Sequence, residues 1–552
     1  MFIRLTKSPN TQKIAIQIVK SIRLNGKVKQ KIIRHVGSAI EKDEIEKLKH
    51  LGEYIILKID AVESKQLSLF SPEEILKCII ESRLKNKEKN INVNIDNLRE
   101  EQRVVVGIHE VYGKIFQEIG FDRVFANPAR NVAATEKLFN IVMARIANPD
   151  SKRASLINLE KNFGITLSLD GVYRMMDKID DKVIENIQKI AFQSTKTLLN
   201  SEINVVFYDA TTLYFESFTE DELRQKGYSK DMKFNQSQVL FALLVTKEGL
   251  PIGYEVYPGS QYEGNTLSDS VDKIKEKYKI NNVVFVADAG LFNKENIKYL
   301  EENNYNYVVG ARIKNTKKST KENILKLDEY TELNDDLKFR DLEHEENKRL
   351  IISYSKKRAR KDEYDRNNAI NKLIKKLEKT EKPDSLISNY GYKKFLTLKG
   401  DCKIELNEDK IKQEAAWDGL HGVITNIQNE TVEYILHHYK NLWKIEETFR
   451  ITKHDLKVRP IYHYTEHRIK AHIAICFVAL CCVRHLEYRV SKQQTKLSVK
   501  RIRDELLGFQ ASILKDISTN KKYCIPSSVS TEIKKIYSIV GIKIDSCPFE
   551  LN

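Results

Sequence analysis

Two aspartates stand directly after apolar runs of the kind that form buried β-strands. Asp209 follows Val205-Val206-Phe207-Tyr208, and Asp288 follows a similar run at 283–287. Sites in α/β sheets form where loops converge beyond strand ends, and a carboxylate buried there is costly unless it is paired or metal-bound. The two residues therefore predict an acidic site, although each aspartate alone is equally compatible with a helix N-cap or a turn.

A third acid lies on a segment with helical spacing. Glu446 shares one face of the segment 439–457 with aromatic and cationic residues. This face suits a metal-bound carboxylate held against a phosphodiester backbone with stacking support, and the simpler alternative is an i,i+4 ion pair with Arg450. The face comprises Tyr439, Trp443, Glu446, Arg450, Lys453 and Lys457. The neighbouring stripe, predicted to face the core, comprises Leu442, Ile445, Phe449 and Leu456.

The elements that must position these acids alternate between strands and helices. After the strand that contains Asp209, further strands are predicted at 238–245 and 251–257. A helix, the strand before Asp288, another helix and a strand at 307–310 follow. The order β-β-β-α-β-α-β predicts a mixed sheet flanked by helices.

The regions on either side of this sheet differ in character. The first forty residues predict a basic β-hairpin, and the helical pattern at 99–199 breaks at Pro128 and Pro149. Within it, a helix, a turn containing Gly164 and a second helix resemble a helix-turn-helix, an order that many all-helical domains share. Residues from about 314 to 429 predict a charged insertion that mixes strands and helices.

The composition favours a large globular protein with a polyanionic partner. The chain has 552 residues, of which 41% are hydrophobic, and 93 Lys and Arg against 77 Asp and Glu give a net charge of +16. This surplus favours nucleic acid over membrane, although a basic housekeeping protein has a similar one. The longest apolar run, 471–483, is too short to span a bilayer and predicts a buried helix. Seven scattered cysteines without a Cys-x-x-Cys pair, and no evident signal peptide, predict a reduced, cytoplasmic protein.

The segment around Glu446 resembles the signature Y-x2-R-x3-E-x6-K of insertion-sequence DDE transposases, the branch with the YREK motif. Tyr439, Glu446 and Lys453 stand at its intervals, and Leu442 stands where the family has arginine. Three further segments are similar to the first-aspartate strand, the second-aspartate strand and the end of the insertion of that family. They are Tyr208-Asp209-Ala210-Thr211-Thr212, Ala287-Asp288-Ala289-Gly290 and Trp417-Asp418-Gly419.

The resemblance implies a mixed α/β fold with an RNase H-like catalytic core, interrupted by a β-rich insertion domain and preceded by the basic hairpin and a helical DNA-binding region. It implies that Asp209, Asp288 and Glu446 are the catalytic and metal-binding residues, holding two Mg²⁺ ions for which Mn²⁺ can substitute. The residues expected to contact DNA are Tyr439, Trp443, Arg450, Lys453, Lys457 and Trp417.

The function implied is that of a Mg²⁺-dependent DNA nuclease and strand transferase. It would bind the terminal inverted repeats of an insertion sequence as a homodimer on double-stranded DNA. It would then cleave the ends and join the 3′-OH to target DNA. The expected location is the bacterial cytoplasm, at the nucleoid, and no membrane partner is expected. Two alternatives are a catalytically inactive DNA-binding protein derived from a transposase, and an RNase H-like nuclease without strand transfer. The complete set of three acids argues against the first alternative, and the Leu442 departure keeps it open.

The domain organisation expected on this basis has six parts. They are an N-terminal hairpin and helical region at 1–96, a helix-turn-helix-like domain at 97–200, the first part of the core at 201–313, the insertion domain at 314–430, the second part of the core at 431–490 and a helical C-terminal region at 491–552.

Overall fold

The N-terminal residues form a three-stranded antiparallel sheet in the computed structural model of the protein. Its strands are β1 (Phe2–Lys7), β2 (Ile14–Leu24) and β3 (Lys27–Ala39), and the pairing of β2 with β3 agrees with the predicted hairpin. The turn at 25–26 and nearly all of the charged segment at 43–89 lie outside the described residues. The structure describes residues 2–7, 14–24, 27–39, 45, 49, 92–200, 203–227, 235–278, 284–288, 293–345, 347–377, 391–399, 403–493, 497–544 and 546–551.

A helical region follows a single strand. The strand is β4 (Leu98–Val105), and the helices are α1 (Gly107–Ile119), α2 (Val132–Ala147), α3 (Lys152–Asn158), α4 (Leu169–Met176) and α5 (Asp181–Leu199). The breaks predicted at Pro128 and Pro149 are confirmed. Between α3 and α4 the chain turns through Gly164 in the left-handed region, at φ 65°, which glycine adopts without steric cost. The predicted helix, glycine turn and helix are therefore present, and DNA reading by them stays a prediction.

The central sheet begins with the elements that carry the first two acids. They are β5 (Val205–Tyr214), β6 (Gln238–Thr246), β7 (Pro251–Pro258), α6 (Leu267–Tyr278), β8 (Val284–Ala287), α7 (Lys294–Glu302) and β9 (Asn306–Ala311). Neighbouring strands lie in the order β7-β6-β5-β8-β9, antiparallel from β7 to β5 and parallel from β5 to β9. This is the RNase H-like arrangement, and the predicted order of elements is confirmed.

The residues predicted as an insertion domain extend this same sheet. They form α8 (Lys318–Ile324), β10 (Thr331–Glu332), β11 (Leu337–Glu345), β12 (Lys348–Ser355), α9 (Lys356–Leu377), β13 (Leu396–Lys399), β14 (Lys403–Leu406), α10 (Glu408–Ala415) and β15 (Leu420–Thr425). Strand β15 pairs with β9 and with β12, so the sheet continues as β9-β15-β12-β11-β10. Only β13 and β14 pair apart from it within the described residues.

Three helices complete the core. They are α11 (Val432–Lys440), α12 (Trp443–Arg450) and α13 (Glu466–Lys492). By length and composition α13 could cross a membrane, but 94% of its most apolar stretch is buried inside the protein. The prediction of a buried core helix at 471–483 is therefore confirmed.

The C-terminal region is only partly helical, so the prediction of a helical region at 491–552 is wrong. Its elements are α14 (Val499–Gly508), β16 (Gln510–Asp516), β17 (Lys522–Pro526), α15 (Thr531–Val540) and β18 (Phe549–Leu551). Strand β16 pairs with β4, which also makes the start of the region at 97–200 a strand. Strands β4 and β16 lie about four hundred residues apart in the chain, so local patterns do not reveal their pairing.

The central sheet is covered on both faces. Side chains alternate along β5, so that Val205 and Phe207 join the apolar cluster containing α12 and α13, whereas Val206 and Tyr208 join a second cluster with α6. A strand buried on both faces reads as a continuous apolar run, which is why the strands before the two aspartates were predictable.

Candidate active site

Asp209 lies inside strand β5, although an apolar run ends there. Residues 210–214 continue the strand because they pair with β6, and Asp209 itself stands opposite Leu243. The parallel pairing with β8, by contrast, is recorded only as far as Phe207. Asp209 therefore lies just beyond the carboxyl end of β8 and remains partly exposed. Its own Oδ1 accepts a hydrogen bond from the backbone N–H of Ala210 at 2.8 Å.

Asp288 comes directly after β8 and is exposed. In the parallel register, Phe207 of β5 pairs with Val286 of β8, and each aspartate follows its member of that pair by two residues. Because side chains alternate with period two, Asp209 and Asp288 are expected to project from the same face as Phe207 and Val286. Both of these apolar residues belong to the cluster that α12 joins.

Helix α12 carries Glu446 over this face of the sheet. Phe449 of α12 packs edge-on against Phe241 of β6, with 6.2 Å between ring centroids. Phe241 pairs with Thr211, two residues after Asp209. Glu446 lies one turn before Phe449 and is exposed, so α12 is fixed by its apolar residues while its acid stays in solvent.

Tyr439 lies near the second and third acids. Burial raises the pKa of Tyr439 to about 12, and the negative charges of Asp288 and Glu446 act in the same direction against the opposing charge of Arg358. The phenol is therefore protonated at neutral pH and keeps a hydrogen to donate. Its ring packs against His421 at 5.0 Å between centroids.

A groove of about 500 Å³ runs beside these residues. Burial, together with the charge of Arg358, lowers the pKa of His421 to about 4, so this imidazole is neutral at pH 7. Trp443 is 49% exposed. The lining residues that can contact a ligand by charge, stacking or hydrogen bonding include Arg358, His421, Tyr439, Lys440, Trp443 and Glu446.

The segment 439–457 is not the single continuous helix that the sequence predicts. Helix α11 ends at Lys440, and α12 begins at Trp443. In the tight turn that joins them, the backbone N–H groups of Lys444 and Ile445 each donate a hydrogen bond to the carbonyl oxygen three residues earlier. Beyond Arg450 the chain widens into a π-helical turn, Ile451–Asp455. Each change of helical pitch rotates the following residues, so the predicted mixed face is divided.

The apolar stripe of this segment is confirmed. Its four residues, Leu442, Ile445, Phe449 and Leu456, are all buried. Leu442, at the position where the resembled family has arginine, therefore belongs to the core and supplies no phosphate contact. The cations that line the groove instead are Lys440 and Arg358, and Arg358 comes from the first turn of α9.

The predicted cationic residues lie away from the groove lining. Arg450 forms an ion pair with Asp455 at 3.0 Å, and Lys453 is half-buried. Lys457 has a backbone φ of 44° and lines a different cavity, described below. None of these three residues lines the groove, and their contact with a phosphate beside Glu446 stays a prediction.

Trp417 also lies outside the groove lining. It packs beside the apolar cluster under β12 and β15, and the ammonium of Lys314 lies 5.9 Å from its ring centre. Arg358 and His421 are groove residues that sequence reasoning missed. The sequence feature that could have pointed to His421 is the presence of a histidine inside an otherwise apolar strand. Arg358 has no such feature, because the charged helix that contains it is predicted to be solvated.

The three acids have the chemistry of a divalent-metal site but are not drawn together. Carboxylate oxygens are preferred ligands of Mg²⁺. In the described part of the chain, however, no group of three His, Cys, Asp or Glu side chains lies close enough to hold a metal ion. The donor set fits the ion, and the side chains would have to converge to bind it.

Comparison with known proteins gives two similar solved structures and one matching family. It is similar to a piggyBac transposase in a synaptic complex with hairpin DNA, with 11% identity, a TM-score of 0.36 and coverage of 72% of this chain and 76% of that one. It is also similar to Mos1 transposase in a paired-end complex with the left transposon end, with 14% identity, a TM-score of 0.15 and coverage of 29% and 53%. No curated protein matches the chain. Residues 200–482, more than half of the chain, match the family described as "Transposase DDE domain", and the protein belongs to that family.

Proposed function

We propose that the protein is a DNA transposase that binds the terminal inverted repeats of an insertion sequence, cleaves the ends and joins the 3′-OH to target DNA. The observation that supports this most directly is the parallel register of β5 and β8, which sets Asp209 level with Asp288 on the face that α12 covers. The negative charges of Glu446 and Asp288 both raise the pKa of Tyr439, so the third acid lies in the same neighbourhood as the second. We place the protein in the YREK branch on the spacing of Tyr439, Glu446 and Lys453.

Asp209, Asp288 and Glu446 are the residues that would hold two Mg²⁺ ions, or Mn²⁺ in their place. Bound there, divalent cations would activate a water or 3′-hydroxyl and stabilise the leaving 3′-oxygen of a phosphodiester. The neutral phenol of Tyr439 can donate a hydrogen bond to a phosphate oxygen, and the guanidinium of Arg358 can pair with the same group. The exposed ring of Trp443 can stack on a base. A homodimer on DNA would hold two element ends.

The experiment that tests this proposal compares three single variants, Asp209→Asn, Asp288→Asn and Glu446→Gln. The substrate is a labelled duplex that carries the inverted repeats found in the DNA flanking the gene, and both nicking and joining to a target plasmid are measured with Mg²⁺. We expect each variant to lose both activities by at least about 100-fold and to bind the duplex normally.

Glu433→Gln is the matched control, because Glu433 is exposed on α11 and does not line the groove. It should cleave like the unaltered protein. Full cleavage by any one of the three variants would contradict the assignment of that acid. Duplex binding without Mg²⁺-dependent nicking by the unaltered protein would establish one alternative, a DNA-binding protein without catalysis. Nicking without joining would instead indicate a nuclease.

A further inference from the structure

A basic cavity lies between the helical region and the segment that follows the π-helical turn. Its volume is about 230 Å³, which is small beside the roughly 300–1,000 Å³ of pockets for drug-sized ligands and suits a small group. None of the three candidate catalytic acids lines it. The charged residues of its lining are Arg145, Lys152, Arg153, Lys457, Arg459 and one acid, Asp150.

Two of these cations are buried. Arg145 is 3% exposed and Lys152 is 4% exposed. Among the described residues, neither has a carboxylate within ion-pair distance. Arg145 donates from Nη1 to the carbonyl oxygens of Leu456 and Lys457 at 3.3 and 3.1 Å, while its Nε is buried without a hydrogen-bond partner.

The Lys152 ammonium is fixed in place by a neutral histidine. His472 Nε2 lies 3.0 Å from the carbonyl oxygen of Val458, and because a carbonyl only accepts, Nε2 must carry the ring hydrogen. Nδ1 is then the acceptor for Lys152 Nζ, also at 3.0 Å. Burial, followed by the charge of Lys152, lowers the pKa of His472 well below its ordinary value, which agrees with a neutral ring.

This arrangement is costly without an anion. Two cations removed from water beside each other repel, and buried charges are normally paired. The cost is visible at Lys152, where burial and the charge of Arg145 lower the pKa to about 7. An anion in the cavity would lie among the cations that line it, which are the buried Lys152 and Arg145 and the more exposed Arg153, Lys457 and Arg459.

We propose that this cavity is a phosphate-binding pocket, separate from the catalytic groove, that holds a backbone phosphate of the bound duplex. The identity of the duplex rests on the proposed function, whereas the affinity for phosphate does not. The pocket joins α3, at the start of the predicted helix-turn-helix, to the loop that follows Glu446 in the chain. A phosphate held there would fix the DNA against both parts of the protein at once.

The test uses the full-length chain and the variant Lys152→Met, which keeps the length of the side chain and removes the buried charge. Lys298→Met is the matched control, because Lys298 is exposed on α7 and pairs with Glu302. Thermal unfolding is measured in inorganic phosphate and in chloride at equal ionic strength. We expect phosphate to raise the Tm of the unaltered protein and of the control more than that of Lys152→Met, which should keep only the general stabilisation that phosphate gives a folded protein. Equal stabilisation of Lys152→Met would overturn the proposal.

A second arm distinguishes a DNA phosphate from a free phosphate ion. Duplex affinity is measured without divalent metal across a range of salt concentrations, so that cleavage plays no part. Loss of one phosphate contact should reduce the magnitude of the slope of log K against log salt by about 1 in Lys152→Met. An unchanged slope would overturn the assignment to DNA and leave a site for a free phosphate ion.

A second variant keeps the proposal testable if Lys152→Met fails to fold. Lys457→Gly removes a cation at a residue with φ 44°, a conformation that glycine adopts more easily, so the fold should be retained. It should lower both the phosphate effect and the salt slope. Failure of the acid variants to alter cleavage would count against the proposed function alone, because neither arm here depends on catalysis.

Discussion

The groove beside Glu446 and the pocket around Lys152 differ in how exposed their charged side chains are. The groove is open and two acids, Asp336 and Glu446, line it. Glu446 and the ring of Trp443 are exposed, and the one guanidinium in the described lining is that of Arg358. The pocket is smaller, and Arg145 and Lys152 are buried in it without a carboxylate partner among the described residues. We infer from this contrast that the two sites have different roles. The acids act on the scissile phosphate, and the buried cations hold another phosphate in place.

The largest expected effect tests this division directly. Glu446→Gln should lower cleavage by about 1,000-fold with unchanged duplex affinity, because it removes charge only where the reaction occurs. Lys152→Met should weaken duplex binding by about tenfold and leave the cleavage rate of saturated enzyme nearly unchanged. The measurement is single-turnover cleavage at rising enzyme concentration. A large loss of saturated rate in Lys152→Met would show that the two sites are not separate.

A second prediction concerns how the groove is held. Phe449 anchors α12 against Phe241 and is buried. Phe449→Ala should lower the free energy of unfolding by about 3 kcal/mol, the range for losing a buried aromatic ring. Denaturant unfolding measures this loss, and Tyr464→Ala, at an exposed aromatic residue, is the control that should have little effect. The phosphate-dependent rise in Tm should survive in Phe449→Ala if the pocket is built independently.

The pH dependence of stability should contain a contribution from Lys152 in the pocket, which the Lys152→Met variant removes. The pKa of Lys152 is about 7 in the folded protein, below its ordinary value of 10.5. The unfolded chain therefore binds more protons between these values, and stability rises with pH there, by about 2 kcal/mol from pH 7 to pH 9. His463 and His472 contribute little above pH 7, because both are neutral in the folded protein and an unfolded histidine, with its ordinary pKa of 6.5, is mostly neutral there too.

Denaturant unfolding at pH 7, 8 and 9 without phosphate measures this dependence. In Lys152→Met the rise should be absent, and in the Lys298→Met control it should remain. Retention of the full rise in Lys152→Met would assign the proton to another group and weaken the contrast between pocket and groove.

The smallest expected effect belongs to the exposed tryptophan of the groove. Trp443→Ala should weaken binding to the cleaved-end duplex by about 1 kcal/mol if its ring stacks on one base. Because the ring is 49% exposed, the stability of the fold should hardly change. Competition binding against the same duplex without unpaired terminal bases measures the effect, and equal affinity for both duplexes would argue against stacking.

The apolar runs before Asp209 and Asp288 are sufficient to predict two neighbouring strands and the acids beside them. The buried stripe of α12 is equally predictable, since Ile445 and Phe449 follow helical spacing. What local pattern cannot contain is the partner of each strand. Strand β15 joins β9, and β16 joins β4, by pairings that no nearby residue signals.

The same limit applies to the site. The break at Asn441 and the π-helical turn at 451–455 have no glycine or proline to mark them, so a continuous helix is the natural prediction. In a continuous helix Arg450, Lys453 and Lys457 would lie on the same face as Glu446, whereas in the structure Lys457 lines the basic pocket. Arg358 was missed because its position beside Tyr439 depends on how α9 leaves the sheet after β12.

The pairing of β4 with β16 determines what happens to the product of a gene copy that has lost its 3′ end. Residues 98–105 are translated early, and the strand that completes their sheet comes from residues 510–516. A copy that has lost its last hundred or so codons would still encode all three candidate catalytic acids. Its product would nevertheless present the edge of β4 without the strand that covers it, and an uncovered edge invites aggregation. Loss of the 3′ end should therefore silence such a copy at the level of folding, with its catalytic residues still in the reading frame.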